Sequence, residues 1–501
     1  MQGKKNYQEK LFIKFQLSDH IPADNLYRRL NEIIDFSFLY GSTAQYYGKE
    51  GQKSIDPVVF MKLILAGYLE NMRSDRQIVN TLRLRLDIRY FIGYDLEEDL
   101  PCHSTLSRTR KLYGEHVFKE LFKKVLKQCI ANGMVSGRRQ AIDSVYIKAN
   151  AAMDSMQEKA ILADADSYGR ELDENEEGPV AIIVELDSKK KDGEKKETDP
   201  EKKPHPTGKT HYSPVDPDAR LSTKRGKMPD LNYLGQVSVD TATHMITHVQ
   251  VFSADKQDNQ CLPGMLAQVV SNLKENDITV QEVVADTGYS SGKALRTLEA
   301  MGITGYIPNT GSFHYEHEGF VYHAEGDYYE CKNGRKLTYL ATYDDKKRYR
   351  LTQKHCKGCP FKDTCIGNKQ EMAINETIYR PYFERMRTRM QTRKASRLMK
   401  KRQSTVEPVI GTLVGYRGIK KVNSRGIDQA NKCLTMAAIA YNIKKLLNFK
   451  PRRIHENINE LKREINKGIC QVAAAIAYPL TLYTGFDTKI KTNSGQLIGM
   501  I

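Results

Sequence analysis

The stretch "EVVADTGYS", residues 282–290, ends an apolar, β-branched run with an aspartate, Asp286. A similar arrangement occurs in "QAIDSVYI", residues 140–147, where Asp143 lies inside a run with the composition of a buried strand. Removing one carboxylate from water costs several kcal/mol unless it is paired or binds a cation. Two aspartates in interior strands therefore predict partners of opposite charge.

Further β-branched runs place these two stretches in one sheet. The runs lie at residues 140–149, 235–240, 245–253 and 279–286, and "ITGYIP" at 303–308 is a candidate fifth strand. The second and third runs are joined by "TATH", which predicts an antiparallel hairpin. Helices are expected at about 261–275 and 291–301. The pattern predicts an α/β fold with a mixed sheet, interrupted at about 154–232 by a disordered or loosely packed polar insertion.

Residues 54–113 have the boundary signals of short helices. Asp56 and the proline after it start one helix, a capping box begins at Ser74, and Ser104 is expected to cap a third helix. That third helix carries Arg108, Arg110 and Lys111. Short helices with a basic last member are typical of helix-turn-helix docking on DNA. The alternative is a helical bundle whose charges face water.

The charge balance indicates a polyanionic partner. The 501 residues include 78 Lys and Arg against 61 Asp and Glu, a net charge of +17 with a pI near 9.2. Nucleic acid is the simplest partner for such an excess. The N-terminal sequence lacks the apolar core of a signal peptide, and the most apolar stretch, 468–486, is broken by Gln471 and Pro479 and is expected to pack near the C-terminus. The chain is predicted to be cytoplasmic and nucleoid-associated when bound to DNA, with no membrane and no small-molecule substrate.

A third acid follows a basic run. Positions 385–402 contain nine Lys or Arg and no acid, and Glu407 comes next in "STVEPVIG". Because proline is tolerated in the first turn of a helix, Pro408 places Glu407 near a helix N-terminus or at a kink of a continuous helix. Asp143, Asp286 and Glu407 could converge at one end of the sheet. Three carboxylates so close would repel one another unless divalent cations lay between them, and Mg²⁺, or alternatively Mn²⁺, prefers such oxygen ligands.

Cysteines cluster in the second half of the chain. Cys356, Cys359 and Cys365 form a C-x2-C-x5-C pattern, and Cys331 lies in a predicted hairpin. Four thiolates from a hairpin and a knuckle fit a closed structural Zn²⁺ site, with His355 as the alternative fourth ligand. The other possibility is a set of free cysteines. The remaining cysteines are expected to be isolated core or surface thiols.

Four motifs occur in order along the chain: "LPCHSTLSRTRK" (100–111), "AIDSVYIKANA" (141–151), "VVADTGYSS" (283–291) and "STVEPVIGTLVGYRGIKKVNSRG" (404–426). Together they resemble the DDE transposases of bacterial insertion sequences, in the group called insertion sequence eleven-eighty-two, from about residue 10 to 447. The segment "SPVDPDARLSTKRG" (213–226) also resembles this family and is expected to order a loop near the active site.

The residues around the third acid differ from those of related families, which have a tyrosine, arginine, glutamate and lysine signature there. Here Gln403 lies four residues before Glu407, with Arg402 beside it. Val414 lies seven residues after Glu407, with Lys420 and Lys421 further on. The basic residue that holds the transposon end is therefore left open.

The resemblance implies a ribonuclease-H-like catalytic domain in which Asp143, Asp286 and Glu407 bind two Mg²⁺ ions. Such proteins bind terminal inverted repeats, cut the transposon ends by hydrolysis and join the freed 3′-hydroxyls to target DNA. The implied partners are double-stranded DNA, as ends and as target, and a second copy of the chain on that DNA. The candidate DNA contacts are Arg108, Arg110, Lys111, Lys400, Arg402, Arg417 and Lys420.

The expected organisation has five parts. They are a helical N-terminal DNA-binding domain (1–135), a ribonuclease-H-like core (136–310), an inserted subdomain with the cysteine cluster (311–384), a basic helical end of the core carrying the third acid (385–450), and a C-terminal extension (451–501).

Other interpretations stay open. The chain could be a DNA-binding regulator with an inactive catalytic domain, or a ribonuclease-H-like nuclease without joining activity. Asp143 could be a structural aspartate bonded to backbone amides, Asp286 a turn cap, and Glu407 a partner of the preceding arginines. Asp240 competes as the second acid, although it lies at the hairpin turn, where aspartate is ordinary.

Overall fold

The computed structural model describes residues 15–449, apart from 49, 52–53, 73, 159–209, 224–227, 310–316, 367–368 and 370. The described residues up to Asn448 belong to one compact unit, and a second unit begins at Phe449. The predicted C-terminal extension, 451–501, lies outside the described residues, as does most of the predicted polar insertion.

The N-terminal part is built from helices. They are α1 (Leu17–His20), α2 (Leu26–Ile33), α3 (Phe38–Thr43), α4 (Pro57–Leu69), α5 (Asp75–Leu84), α6 (Leu86–Ile92), α7 (His103–Leu112) and α8 (Glu115–Ala131). Helix α4 begins as predicted, because the Asp56 carboxylate accepts hydrogen bonds from the Val58 and Val59 amides at 2.7 and 3.1 Å. The Ser74 hydroxyl likewise caps α5 by accepting from the Gln77 amide at 3.2 Å.

The predicted cap at Ser104 is wrong. Helix α7 begins at His103, so Cys102, two residues before Ser104, occupies the cap position and makes no side-chain cap hydrogen bond. Ser104 therefore lies in the first turn, where its hydroxyl accepts a hydrogen bond from Arg108 at 3.2 Å.

The first eight strands are β1 (Arg139–Lys148), β2 (Gln157–Glu158), β3 (His211–Tyr212), β4 (Arg220–Ser222), β5 (Asp230–Asp240), β6 (Ile246–Ser253), β7 (Glu282–Val284) and β8 (Thr304–Tyr306). Six of them form the main sheet, in which β1 lies between antiparallel β5 and parallel β7. Strands β4 and β6 pair with β5, and β8 continues the parallel side next to β7. The hairpin predicted at 235–253 and the fifth strand predicted at 303–308 are confirmed.

The remaining helices are α9 (Asp258–Lys274), α10 (Gly292–Ala300), α11 (Lys362–Cys365), α12 (Arg380–Met390), α13 (Arg393–Tyr416) and α14 (Ile427–Asn448). Helix α9 packs on β5 and β6, and α13 packs on β1, β5, β7 and β8. Helix α14 is buried along most of its length, between β6 and the N-terminal helices α4 and α8. It therefore joins the helical part of the chain to the main sheet.

The predicted basic helix is divided in two. Helix α12 ends at Met390, and Thr392 starts α13 by accepting a hydrogen bond from the Ala395 amide at 3.1 Å. Helix α13 then continues through Pro408 to Tyr416. Of the two placements open for Glu407, the interior of a continuous helix is therefore the observed one.

The end of the predicted insertion is folded. The expectation of loose packing is wrong for 210–223, because this segment contains β3 and β4 and buries Asp216 completely. The Tyr233 hydroxyl donates to Asp216 at 2.6 Å, and the Gly426 amide donates to Asp216 at 3.2 Å. These bonds tie the segment to the start of α14.

A second, five-stranded antiparallel sheet lies within the segment predicted as an insertion, 311–384. Its strands are β9 (Phe320–His323), β10 (Tyr328–Cys331), β11 (Lys336–Tyr343), β12 (Lys346–Thr352) and β13 (Glu371–Thr377), in the order β13-β12-β11-β10-β9. It has its own small apolar cluster, which includes Tyr329, Leu337, Tyr349 and Ile374.

Candidate active site

Asp143, on the central strand β1, lies beside Asp286, which follows the end of the neighbouring strand β7. Strands β1 and β7 are parallel, with Arg139 opposite Glu282 and Ala141 opposite Val284. Extending this register by two residues sets Asp143 opposite Asp286, just beyond the last residue of β7. Parallel strands therefore bring together two carboxylates that are far apart in the sequence.

Asp143 is half-buried and has two partners. The Ser144 amide donates to Oδ1 at 2.8 Å, and Arg402 Nη1 of α13 lies 2.9 Å from Oδ2. Burial raises the pKa of Asp143, and the charge of Asp286 raises it further, against the lowering effects of the Ser144 amide and Arg402. The backbone amide that a structural aspartate would require is therefore present, and so is a cationic partner, Arg402.

Asp286 caps the 3₁₀ turn Thr287–Tyr289, because its Oδ1 accepts from the Gly288 amide at 3.0 Å. A side chain at Gly288 would begin 3.2 Å from this Oδ1 and 3.3 Å from Oδ2 of another acid, Asp258. The two carboxylates therefore face one small space, which a methyl group at residue 288 would crowd.

Asp258 is the site residue that the sequence analysis did not single out. It lies in the first turn of α9, where an acid is ordinary, so its position carries no signal by itself. Gln236 of β5 donates to its Oδ1 at 2.6 Å, and the buried Tyr289 hydroxyl donates to Gln236 in turn. Burial raises the pKa of Asp258, and the charge of Asp286 adds to that rise.

No hydrogen bond or ion pair among the described residues joins Glu407 to these aspartates. It is exposed on α13 and forms no ion pair or hydrogen bond with a described residue. The pairing with the preceding arginines that its structural alternative requires is therefore absent from the described part of the chain.

Within the described residues, no group of three or more His, Cys, Asp or Glu side chains is arranged to hold a metal ion. The donor set nevertheless fits a hard divalent cation, since the space at Gly288 is faced by the carboxylate oxygens of Asp286 and Asp258, and the charge of Asp286 acts on Asp143. Asp143 is charge-balanced by Arg402 in this arrangement.

The four clustered cysteines line one cavity of about 310 Å³. Cys331 ends β10, and the other three lie on the turn and short helix of 356–365. Gly358, between Cys356 and Cys359, has a φ of 75°, which lets the chain turn tightly there. Burial, then the neighbouring cysteines, raise the pKa of Cys356 and of Cys365. His355 is exposed and shares a hydrogen bond with Thr352 at 2.8 Å.

The candidate DNA contacts fall into two groups. Four side chains are exposed: Arg108, Lys111, Lys400 and Lys420. Three are engaged inside the protein. Arg110 is paired with Asp75 at 3.0 Å and Arg402 with Asp143, whereas Arg417 is buried and donates to the Leu69 carbonyl at 2.9 Å.

Asp240 has a structural role. It is fully buried, and it accepts from the Gly137 and Ala242 amides at 2.7 and 2.8 Å. It thereby holds the turn between β5 and β6.

Two family models match the chain. The one described as "Transposase domain (DUF772)" matches residues 15–112, which cover α1 to α7. The one described as "Transposase DDE domain" matches residues 330–447, which contain Glu407 and the four clustered cysteines. Asp143 and Asp286 lie outside both matches.

Solved transposase structures are distantly similar. A piggyBac transposase synaptic complex with hairpin DNA matches at 10% identity over 85% of this chain and 76% of that chain, with a TM-score of 0.33. A Mos1 transposase paired-end complex matches at 10% identity over 52% and 61%, with a TM-score of 0.16. TM-scores of this size do not establish a common fold. No curated protein matches the chain.

No helix in the described part of the chain is long and apolar enough to cross a membrane. One family match covers the first helices of the described chain, and the other includes its last helices. Both models describe transposase domains, and together they support a DDE-type insertion-sequence transposase.

Proposed function

We propose that the chain is an insertion-sequence transposase that binds the terminal inverted repeats of its element, cleaves their strands by Mg²⁺-dependent hydrolysis and joins the 3′-hydroxyl ends to target DNA. The observation that carries the proposal is the parallel register of β1 and β7, which sets Asp143 beside Asp286. Two neighbouring carboxylates, one within a strand and one on the loop after a strand, are suited to hold a hard cation against a phosphate.

The main sheet supports a ribonuclease-H-like catalytic core. Its first strand is central, with antiparallel strands on one side and parallel strands on the other. Helix α13 packs across this sheet and carries Glu407. The third acid is therefore on an element that already contacts β1 and β7.

The proposed roles follow from position. Asp143, Asp286 and Glu407 are the metal ligands, and Asp258 is a fourth carboxylate at the same space. When bound, paired Mg²⁺ ions would activate the attacking oxygen and stabilise the leaving oxygen of an in-line displacement at phosphorus. Tyr289 and Gln236 hold Asp258 in place through their hydrogen bonds.

Arg402 has a role of its own in this proposal. In the absence of a cation it neutralises Asp143 from α13. A cation bound at Asp143 would compete with that pairing and free the guanidinium for a DNA phosphate, a ligand that arginine binds well. The same release would let α13 adjust, bringing Glu407 towards the aspartates.

The cysteine cluster is proposed to hold a structural Zn²⁺ ion. Four thiol groups line one cavity, and the turn at Gly358 resembles a knuckle in its tight geometry. His355 shares a local hydrogen bond with Thr352. It is not needed as a ligand because the four cysteines already supply four thiolates. The metal would stiffen the end of the small sheet and the turn that follows it.

DNA is the proposed partner, as double-stranded ends and as target, in keeping with the net charge of +17. Because an element has two ends to be paired, a homodimer on DNA is proposed, acting at the nucleoid. The exposed Lys400 and Lys420 are proposed to contact the DNA backbone.

The test uses linear DNA carrying the element's two ends, incubated with the purified chain with and without Mg²⁺ and scored for cleaved and joined strands. Joined products that require Mg²⁺ and vanish with Asp286→Asn are expected. Cleavage without joining would favour the nuclease, and binding with neither reaction would favour the regulator.

A further inference from the structure

A cavity of about 510 Å³ lies between the N-terminal helices and the segment that follows α13. Its walls come from α4, α5 and α7 on one side and from residues 417–425 on the other, with Asn150 beyond the end of β1. The two sides are separated by about 300 residues in the sequence.

The cavity is lined by an excess of positive charge. Five basic residues contribute to its walls: Arg110, Lys111, Arg417, Lys421 and Arg425. The acid among the lining residues is Asp75, and Arg110 already pairs with it at 3.0 Å. Four cations of the lining therefore have no carboxylate partner there.

Arg417 is the decisive member of this group. Arg417 is 5% exposed, and its Nη1 donates to the carbonyls of Tyr68 and Leu69 at 3.3 and 2.9 Å. Its Nε is buried and has no hydrogen-bond partner. These direct partners of the buried guanidinium are neutral carbonyls, and the charge of Glu70 offsets its desolvation only in part. Burial accordingly lowers the pKa of Arg417.

We propose that this cavity binds a phosphate group of the DNA backbone, a site separate from the cluster around Asp143. The inference rests on the proposed function, because it assumes that the chain binds DNA. A phosphate diester supplies the missing anion, and the guanidinium and ammonium groups around the cavity are the donors that phosphate accepts best. Lys421 and Arg425 are exposed on the rim of the site, where an incoming backbone would meet them first.

The site lies well away from the catalytic acids. Fifteen residues separate Arg402, which contacts Asp143, from Arg417 at the end of α13. At about 1.5 Å per helical residue this is about 22 Å. For a DNA strand that runs along α13 and advances about 3.4 Å per nucleotide, this distance spans roughly six or seven nucleotides.

The test combines two variants with chemically neutralised DNA. Duplexes carrying the element's end are prepared with one methylphosphonate at a time, and equilibrium binding is measured for wild type, Lys421→Ala and Lys127→Ala. Lys127 is exposed on α8, does not line the cavity and has no proposed DNA contact, so it is the matched control. Thermal unfolding of all three proteins checks that the fold is intact.

For the wild type, one methylphosphonate position near the expected spacing should weaken binding by about tenfold. Lys421→Ala should lose most of that sensitivity at the same position and should lower the slope of log K against log salt by about one unit. Lys127→Ala should keep the position-specific sensitivity.

Equal methylphosphonate profiles for wild type and Lys421→Ala would overturn the proposal. If that occurs while strand cleavage and joining remain Mg²⁺-dependent, only the cavity assignment fails and the proposed function stands. If no duplex binds at any salt concentration, the proposed function itself fails.

Discussion

Arg402 Nη1 lies 2.9 Å from Asp143 Oδ2, joining the basic helix α13 to the central strand of the main sheet. Both side chains are largely shielded, with 12% and 18% of their surfaces exposed. The pair places a cation of the protein at the carboxylate that we propose as a metal ligand. Binding of a divalent cation and retention of this ion pair are therefore competing states of Asp143.

The competition predicts that Arg402→Gln increases the affinity for divalent cations by several-fold, because Mn²⁺ would no longer displace an arginine. The metal-free variant should lose about 1 to 3 kcal/mol of unfolding free energy, since Asp143 is left without its cation. Mn²⁺ titration and denaturant unfolding measure the two effects. Arg397→Gln, which removes an exposed arginine of the same helix, should change neither. An unchanged Mn²⁺ affinity in Arg402→Gln would show that Asp143 is not a ligand.

Asp258 gives a second prediction. Asp258→Asn should weaken Mn²⁺ binding by roughly tenfold or more and slow cleavage, because it removes one of two carboxylates that face the space at Gly288. Asp255→Asn is the control, since Asp255 lies three residues earlier, exposed, and pairs with Arg220 at 3.7 Å. Equal Mn²⁺ affinities in the two variants would reduce Asp258 to a structural residue of the α9 terminus.

The raised pKa values predict how pH acts on the fold. Burial lifts the folded-state pKa of Asp143 and of Asp258 above the ordinary 3.8. A raised folded pKa contributes stability below the unfolded value, and that contribution is lost as pH rises through the folded value. Because cations bind the ionised form, the Tm increase caused by Mg²⁺ should be small near about pH 4 and grow towards about pH 7.

The double variant Asp143→Asn with Asp258→Asn isolates these two groups from the other titrating residues. Its Mg²⁺-induced change in Tm should be small and nearly independent of pH. A wild-type Mg²⁺ effect as large at pH 4 as at pH 7 would contradict the assignment of these carboxylates.

The cysteine cluster predicts a metal content of about one zinc ion per chain. Cys359→Ser should lower that content and make the 320–377 sheet easier to cleave by protease, because the ion would tie its last strands to the turn. Cys102→Ser, an exposed cysteine outside the cluster, should leave both readouts unchanged. The zinc site would be contradicted if the wild-type protein contained no zinc by elemental analysis and its protease sensitivity did not change with chelators.

Much of the sheet was predictable because its strands carry local signals. β-Branched runs bounded by turns predicted the β5–β6 hairpin and β8, and Asp143 and Asp286 stood out as charges in apolar runs. Asp258 did not stand out, since an acid in the first turn of a helix is common and its partner Gln236 is 22 residues away.

Helix boundaries show a similar limit. Ser104 has the chemistry of a cap, yet Cys102, two residues earlier, occupies the cap position of α7. Pro408 was compatible with a helix start or a kink, and the packing of α13 along the sheet favours continuity. Asp216 lies in a polar stretch, and only the distant Tyr233 and Gly426 make it a buried anchor.

The most direct test of the central claim maps the metal on the protein itself. Fe²⁺ is bound in place of Mg²⁺, hydroxyl radicals are generated with ascorbate and peroxide in the presence of end DNA, and the chain fragments are sized. Backbone cuts are expected close to Asp143, Asp286 and Glu407, all lost in Asp286→Asn and all suppressed by excess Mg²⁺. Cuts confined to other segments, or cuts at the two aspartates with none near Glu407, would contradict a shared metal centre formed by these three acids.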